Sequence, residues 1–121
     1  MPSKEKNTCV RSKIWLQNRD GDVIFGHGRI KILKAIQKHG SINAAAQSLN
    51  MSYRGAWKRI KNAEERLGHP LLESKIGGHS GGGSKLTPFA LELMERFEAM
   101  QEKVELIADC TYEELFSDLL S

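Results

Sequence analysis

The sequence is poor in what most functional classes require. Its 121 residues contain two cysteines, Cys9 and Cys110, far apart and in no CxxC pair. That argues against a disulfide framework or a catalytic thiol, and reduced thiols are expected. No apolar run approaches the roughly 20 residues needed to span a bilayer. Met1 to Thr8 is polar, without the apolar core of a secretory leader, so the cytoplasm is the expected compartment. Four histidines, His27, His39, His69 and His79, fall at or beside expected connectors with no ligand spacing, and no metal or cofactor is expected. No Ser, His and acid constellation and no paired carboxylates can be assembled, so no enzymatic activity is expected. The glycine-rich run IGGHSGGGS lacks the Gly-Lys-Ser/Thr ending of a P-loop, and no βαβ pattern surrounds it.

What is present is ordinary globular material with an uneven charge distribution. Hydrophobic residues make up 40% and charged residues 27% of the chain, enough for one domain with an appendage. The net charge of +3 conceals 16 Lys and Arg against 6 Asp and Glu through Pro88, then 2 against 9 from Phe89 onward. A basic folded portion implies a polyanionic partner, whereas an acidic helical tail reads as solvated surface.

The chain is organised around GSINAAAQSLNMSYRGAWKRIKNAEERL, residues 40–67. Ser41 can cap a helix in which Ile42, Ala45, Ala46 and Leu49 recur at helical spacing. After Asn50 and Met51, Ser52 can cap a second one. At ~100° per residue, Ala56, Ile60, Ala63 and Leu67 share one face of that second helix, and Arg54, Lys58 and Lys61 share the opposite one. Small alanines let two helices cross closely, and a cationic helix suits a major groove, where Arg and Lys reach phosphates and the acceptor edge of guanine. An ordinary helix pair with a solvated basic face is the alternative. Trp57 lies about 60° from the groove-facing direction at this helical spacing, a position open to core packing, a flank contact or both, with core burial the commoner role and the one expected.

Around this pair, residues 1–12 read as a flexible terminus. Lys13 to Phe25 reads as a β-hairpin turning at Asp20-Gly21, with Trp15 and Phe25 packing it onto a neighbour. Gly26 to Gly28 reads as a connector into a helix from Arg29 to His39 that stops at Gly40. Leu71 to Lys75 and Lys85 to Thr87 read as strands joined by a flexible glycine tip, the layout of a wing. A long helix is expected from Pro88 to Asp109, with Ala90, Leu93, Phe97, Met100, Val104 and Ile107 spaced as a 3.5-residue seam. The seam fits pairing with a second copy, the alternative being packing on the chain's own domain. Thr111 to Glu114 fits a capping box that starts a last helix. The expected class is mainly α with small β-hairpins: a winged helix-turn-helix over 13–87 and a helical dimerisation segment over 88–121.

The stretches KIWLQNRDGDVIFGHGRIKILKAI, GSINAAAQSLNMSYRGAW and the glycine-rich wing with its following LTPFALELM resemble the N-terminal DNA-binding domain of the ModE molybdate-responsive regulators. That domain is itself similar to the LysR-type winged helix-turn-helix. The resemblance implies a sequence-specific double-stranded DNA-binding regulator, acting as a homodimer on an inverted repeat. The implied DNA contacts are Ser52, Tyr53, Arg54, Trp57, Lys58 and Lys61 on the second helix, with Ser41 at the head of the first. The wing would add Gly77, Gly78 and Lys85. Where LysR-type domains usually carry an arginine after the strand's Leu-Phe-x, Ser74 stands, and Lys75 is expected to substitute. The implied dimer contacts are Leu93, Phe97, Met100, Val104 and Ile107. The family's molybdate-binding half, with its Ser-Ala-Arg-Asn motif, does not occur before Ser121, so no molybdate site is expected. A winged-helix protein-interaction module that does not bind DNA is the alternative function, and the basic portion favours the regulator.

Overall fold

The computed structural model describes residues 7–75 and 83–120. The chain forms two compact units, one from Trp15 to Glu95, the other from the residues before Trp15 together with those from Arg96 onward.

The first unit opens with a hairpin of β1 (Trp15–Gln17) and β2 (Val23–Gly26), paired antiparallel with Leu16 opposite Phe25. Asp20-Gly21 lies inside the turn, but the loop runs from Asn18 to Asp22 and is closed by the Asn18 side chain. The Asp22 amide donates to Asn18 Oδ1 at 2.9 Å, and Gly21 takes φ +92°. Phe25 is fully buried as expected, while Trp15 is 49% exposed. Of the two aromatic residues only Phe25 packs the hairpin onto its neighbours, and the Trp15 indole donates instead to Gln17 Oε1 at 2.9 Å.

No connector follows. Gly26 is itself the N-cap of α1 (His27–His39), which buries Ile30, Ile32, Leu33, Ala35 and Ile36. Gly40 ends α1 in the left-handed region at φ +87°, its amide donating to Ile36 O at 2.7 Å, the expected C-terminal stop. Then come α2 (Ile42–Ser48) and α3 (Tyr53–Leu67), each headed by the serine that the sequence marks. The turn between them holds Asn50 at φ +55°, a conformation that Asn tolerates better than most residues. The Met51 amide donates to Ala46 O at 2.9 Å and tightens that turn. α1 packs on α2, α2 on α3, and α3 on β2. Ala45, Ala46, Ala56 and Ala63 are buried where the helices cross, with Leu33, Ile36, Ile60 and Leu71 filling the centre. Each large side chain so buried contributes about 1.5–3 kcal/mol.

The wing strands are β3 (Leu72–Lys75) and β4 (Gly83–Leu86), antiparallel from Leu72 opposite Leu86 to Lys75 opposite Gly83. The expected glycine tip, Gly77 and Gly78 included, lies outside the described residues. β4 is tied to the end of α1, where the Ser84 amide donates to Gly40 O at 2.9 Å. The backbones approach so closely there that a Cβ on Gly83 would stand 2.5 Å from Gly40 O. Thr87 then joins the wing to α4 (Pro88–Leu120). Its hydroxyl donates to Pro70 O at 2.9 Å and accepts from the Ala90 amide at 3.1 Å, capping α4 ahead of a proline suited to the first turn.

α4 is a single helix to Leu120, so the expected break after Asp109 and the separate last helix do not exist. A capping box only permits a helix start, and with neither Gly nor Pro between Pro88 and Leu120 nothing forces a stop. In the second unit, residues 8–12, part of the stretch expected to be flexible, run beside α4. The Gln101 amide donates to Ser12 O at 3.4 Å and to Glu105 Oε1 at 3.0 Å, and the Thr8 hydroxyl bonds the Tyr112 hydroxyl.

The Gly40–Gly83 approach gives a direct test. Gly83→Ala should lower stability by about 1–3 kcal/mol, because the added methyl meets a backbone carbonyl that cannot swing aside. Gly28→Ala, in open space in the first turn of α1, should raise it by roughly 0.5–1 kcal/mol. Thermal unfolding of the two variants checks both signs, and equal effects would show that the approach imposes no constraint.

Candidate nucleic-acid interface

The candidate surface is built on α3. Ser52 Oγ accepts from the Gly55 amide at 3.0 Å and fixes the start of the helix, a cap worth about 1 kcal/mol. Gly55 suits that cap, since a Cβ there would stand 3.0 Å from the same oxygen. Ala56, Ile60 and Ala63 turn inward, which leaves Arg54, Lys58 and Lys61 exposed on the opposite face as the helical spacing requires. Glu65 shares this face one turn on from Lys61, so the cationic stretch belongs to the N-terminal part of α3.

Of the aromatic residues of α3, Trp57 does not follow the expectation of core packing. Trp57 is 43% exposed and Tyr53 51% exposed. The alanines and Ile60 already close the core, and the larger rings are left on the flank of the cationic face. Lys61 Nζ lies 5.9 Å from the Trp57 ring centroid and 3.1 Å from Glu64 Oε1. Lys61 is therefore held on both sides, while no ion pair engages Arg54 or Lys58 among the described residues.

Glu64 is a structural residue that the sequence reading missed. Its Oε2 accepts from the amides of Leu71 at 2.7 Å and Leu72 at 3.2 Å, tying the C-terminal half of α3 to the entrance of the wing. A glutamate among lysines reads as solvated surface in sequence, and the Lys61 spacing signals only half of its role. The reading also missed Arg29, Arg59 and Arg66. Arg29 Nε donates to Arg59 O at 3.4 Å, and Arg66 Nη1 donates to Val23 O at 2.6 Å. Burial first, then the charges of Arg66 and Arg59, lower the Arg29 pKa from its ordinary value. Arg29 is far from the other two in the chain, so no local spacing announces the cluster.

The other expected contacts are placed as follows. Ser41 is half-buried at the head of α2, with Oγ accepting from the Ala44 amide at 3.0 Å. Lys75 ends β3 in an exposed position, and Lys85 faces Glu73 across the wing at 3.5 Å. That pair is exposed on both sides and contributes little to stability. Of the expected seam, Phe97 is only 2% exposed within the chain itself, and Leu93 and Val104 are half-buried. Met100 and Ile107 are open, Ile107 at 65%. His69 stacks on Phe89 with centroids 4.3 Å apart, which gives that histidine a packing role.

Residues 27–91 match the family of bacterial regulatory helix-turn-helix proteins of the lysR type. The chain is 35% identical over 100 residues to the transcriptional regulator ModE of Haemophilus influenzae, a match covering 83% of this chain and 38% of that protein. It is 40% identical over 96 residues to the molybdenum transport protein ModE of Herbaspirillum seropedicae, covering 79% of this chain and 34% of that protein. The chain thus spans little more than a third of these relatives' lengths. Among solved structures, the BenM DNA-binding domain in complex with benA site 1 DNA superposes with a TM-score of 0.50. That match has 23% identity and covers 71% of this chain and 94% of that one.

The Glu64 clamp predicts that Glu64→Ala destabilises the protein by about 1.5–3 kcal/mol, the range for hydrogen bonds to a charged group, and by more than Ser52→Ala at about 1 kcal/mol. Denaturant unfolding of both variants checks the order. A Glu64→Ala protein as stable as the native one would show that the wing needs no carboxylate to hold it.

Proposed function

The chain belongs to the lysR family of bacterial regulatory helix-turn-helix proteins, and from that premise we propose that it is a sequence-specific double-stranded DNA-binding regulator of the ModE type, working as a homodimer in the cytoplasm. The observation that carries this reading is the outward face of α3. Arg54 and Lys58 stand exposed and unpaired among the described residues, directly opposite the buried Ala56 and Ile60. A helix offering such donors near its N-terminus can enter a major groove, where a bidentate Arg contact to guanine discriminates by ~1–3 kcal/mol. Tyr53 and Trp57 on the flank would meet sugar and phosphate edges, while Lys75 and Lys85 on the wing would fix register without reading sequence.

The homodimer reading rests on α4. Met100 and Ile107 leave apolar surface open along it, and Leu106, Leu115 and Leu119 continue that exposure toward its end. A second copy covering this surface would remove it from water. Two copies related by a two-fold axis would then present two α3 helices to half-sites in inverted order, about 34 Å or a multiple of it apart. Phe97 and its half-buried neighbours Leu93 and Val104 would support that interface from beneath.

Selection of bound sites from a random duplex pool should return an inverted repeat for the native chain. With Arg54→Ala, affinity should fall by ~1–3 kcal/mol and preference should relax at one or two positions per half-site, with Lys58→Ala acting similarly. No enrichment by the native chain would overturn the reading in favour of a protein-interaction module. For the dimer, sedimentation should give twice the chain mass, and Met100→Asp with Ile107→Asp should give the monomer mass with helical circular dichroism intact. A native monomer at micromolar concentration would remove this interface.

A further inference from the structure

Beside the face of α3 that reads bases lies a second concentration of positive charge. Arg59 and Arg66 are seven residues apart in sequence, which puts them on one flank of α3, roughly 100° around the helix from Arg54 and Lys58 at 100° per residue. Arg29, from the first turn of α1, reaches the Arg59 carbonyl at 3.4 Å. Arg66 is anchored on Val23 O of β2 at 2.6 Å. Arg29 and Arg59 thus meet where α1 packs on α3, with Arg66 two turns further along the same flank. Among the described residues none of them has a carboxylate within ion-pair distance. α1 also begins with no side-chain cap and no acidic residue in its first turn, so nothing in that turn offsets the charge.

Burial first, then the charges of Arg66 and Arg59, lower the Arg29 pKa, so the three charges stand near enough to act on one another. An arginine fork recognises an oxyanion by paired N–H···O bonds, and all three guanidiniums keep N–H groups beyond those bonded to the Arg59 and Val23 carbonyls. We propose that Arg29, Arg59 and Arg66 form a binding site for a phosphate group, distinct from the base-reading face. The phosphate can come from the backbone of a bound duplex or from free phosphate. The helix flank favours the duplex: when one face of a helix points to the floor of a major groove, its sides point to the phosphate walls. That preference rests on the DNA-binding reading, while the site itself does not.

The variants are Arg59→Gln with Arg66→Gln, and Arg59→Gln alone, because no side-chain bond holds the Arg59 guanidinium among the described residues. In one arm, thermal unfolding is followed in inorganic phosphate against sodium chloride at equal ionic strength. A site for free phosphate raises the midpoint of the native chain by several degrees in phosphate beyond chloride, and the variants lose that excess. In the other arm, duplex affinity is measured against salt for the preferred site and for a scrambled one. A site for backbone phosphate makes the log–log slope of the double variant shallower by about one, at ~0.9 per phosphate contact, with the ratio between the two duplexes unchanged. Arg59→Lys should restore part of either effect. If the native chain binds no duplex, the DNA-binding reading fails and the phosphate arm alone decides the cluster. Variants that match the native chain in every arm where it responds, or a native chain with no response in either, overturn the site.

Discussion

The carboxylate of Glu64 is the interaction on which the arrangement of the candidate surface depends. One oxygen collects the two amides at which the chain leaves Pro70 for the wing, and the other holds the ammonium of Lys61. The side chain is 13% exposed, so these bonds are largely sheltered from competing water. Through one group, the helix that presents Arg54 and Lys58 is locked to the strand that carries Lys75. Thr87 completes the junction by binding Pro70 and Leu71 from the far side of the wing. Helix, wing and the start of α4 therefore meet at a single polar knot between Glu64 and Thr87.

The parts legible in the sequence are those decided within a few residues. Ser41, Ser52 and Gly40 announce their helices because capping is local chemistry, and each does what its position implies. The alternation of Ala56, Ile60 and Ala63 with Arg54, Lys58 and Lys61 separates inside from outside on α3 for the same reason. The illegible parts depend on what lies across the fold. Trp57 looks like core by type, yet four buried alanines and Ile60 leave it no room. Trp15 and Phe25 are both expected to pack the hairpin onto a neighbour, but Leu16 is the residue opposite Phe25, and strand alternation sends Trp15 to the other face. The roles of Glu64 and of the arginine cluster belong to segments far apart in the chain, which no spacing rule can join.

α4 illustrates a different limit. Thr111 to Glu114 has the residues of a capping box, but a cap needs its first residue outside helical geometry, and nothing bends the chain there. The 3.5-residue spacing predicts one stripe. Folding divides it between Phe97, buried in the chain, and Met100 and Ile107, left open. The buried Gln101 shows why an apolar period alone was insufficient: its amide holds Ser12, so a polar residue occupies a position inside the stripe. Its own carbonyl oxygen and the Ser12 hydroxyl are buried without hydrogen-bond partners among the described residues.

Lys61 sits between an indole and a carboxylate, and its ammonium is compensated before any partner arrives. A phosphate approaching it must displace Glu64, whereas one approaching Arg54 or Lys58 displaces only solvent and loosely held ions. Lys61 is thus a exchangeable charge rather than a free one. Drawing it outward would leave Glu64 Oε2 on the Leu71 and Leu72 amides, so the helix face can change its charge while the wing keeps its anchor.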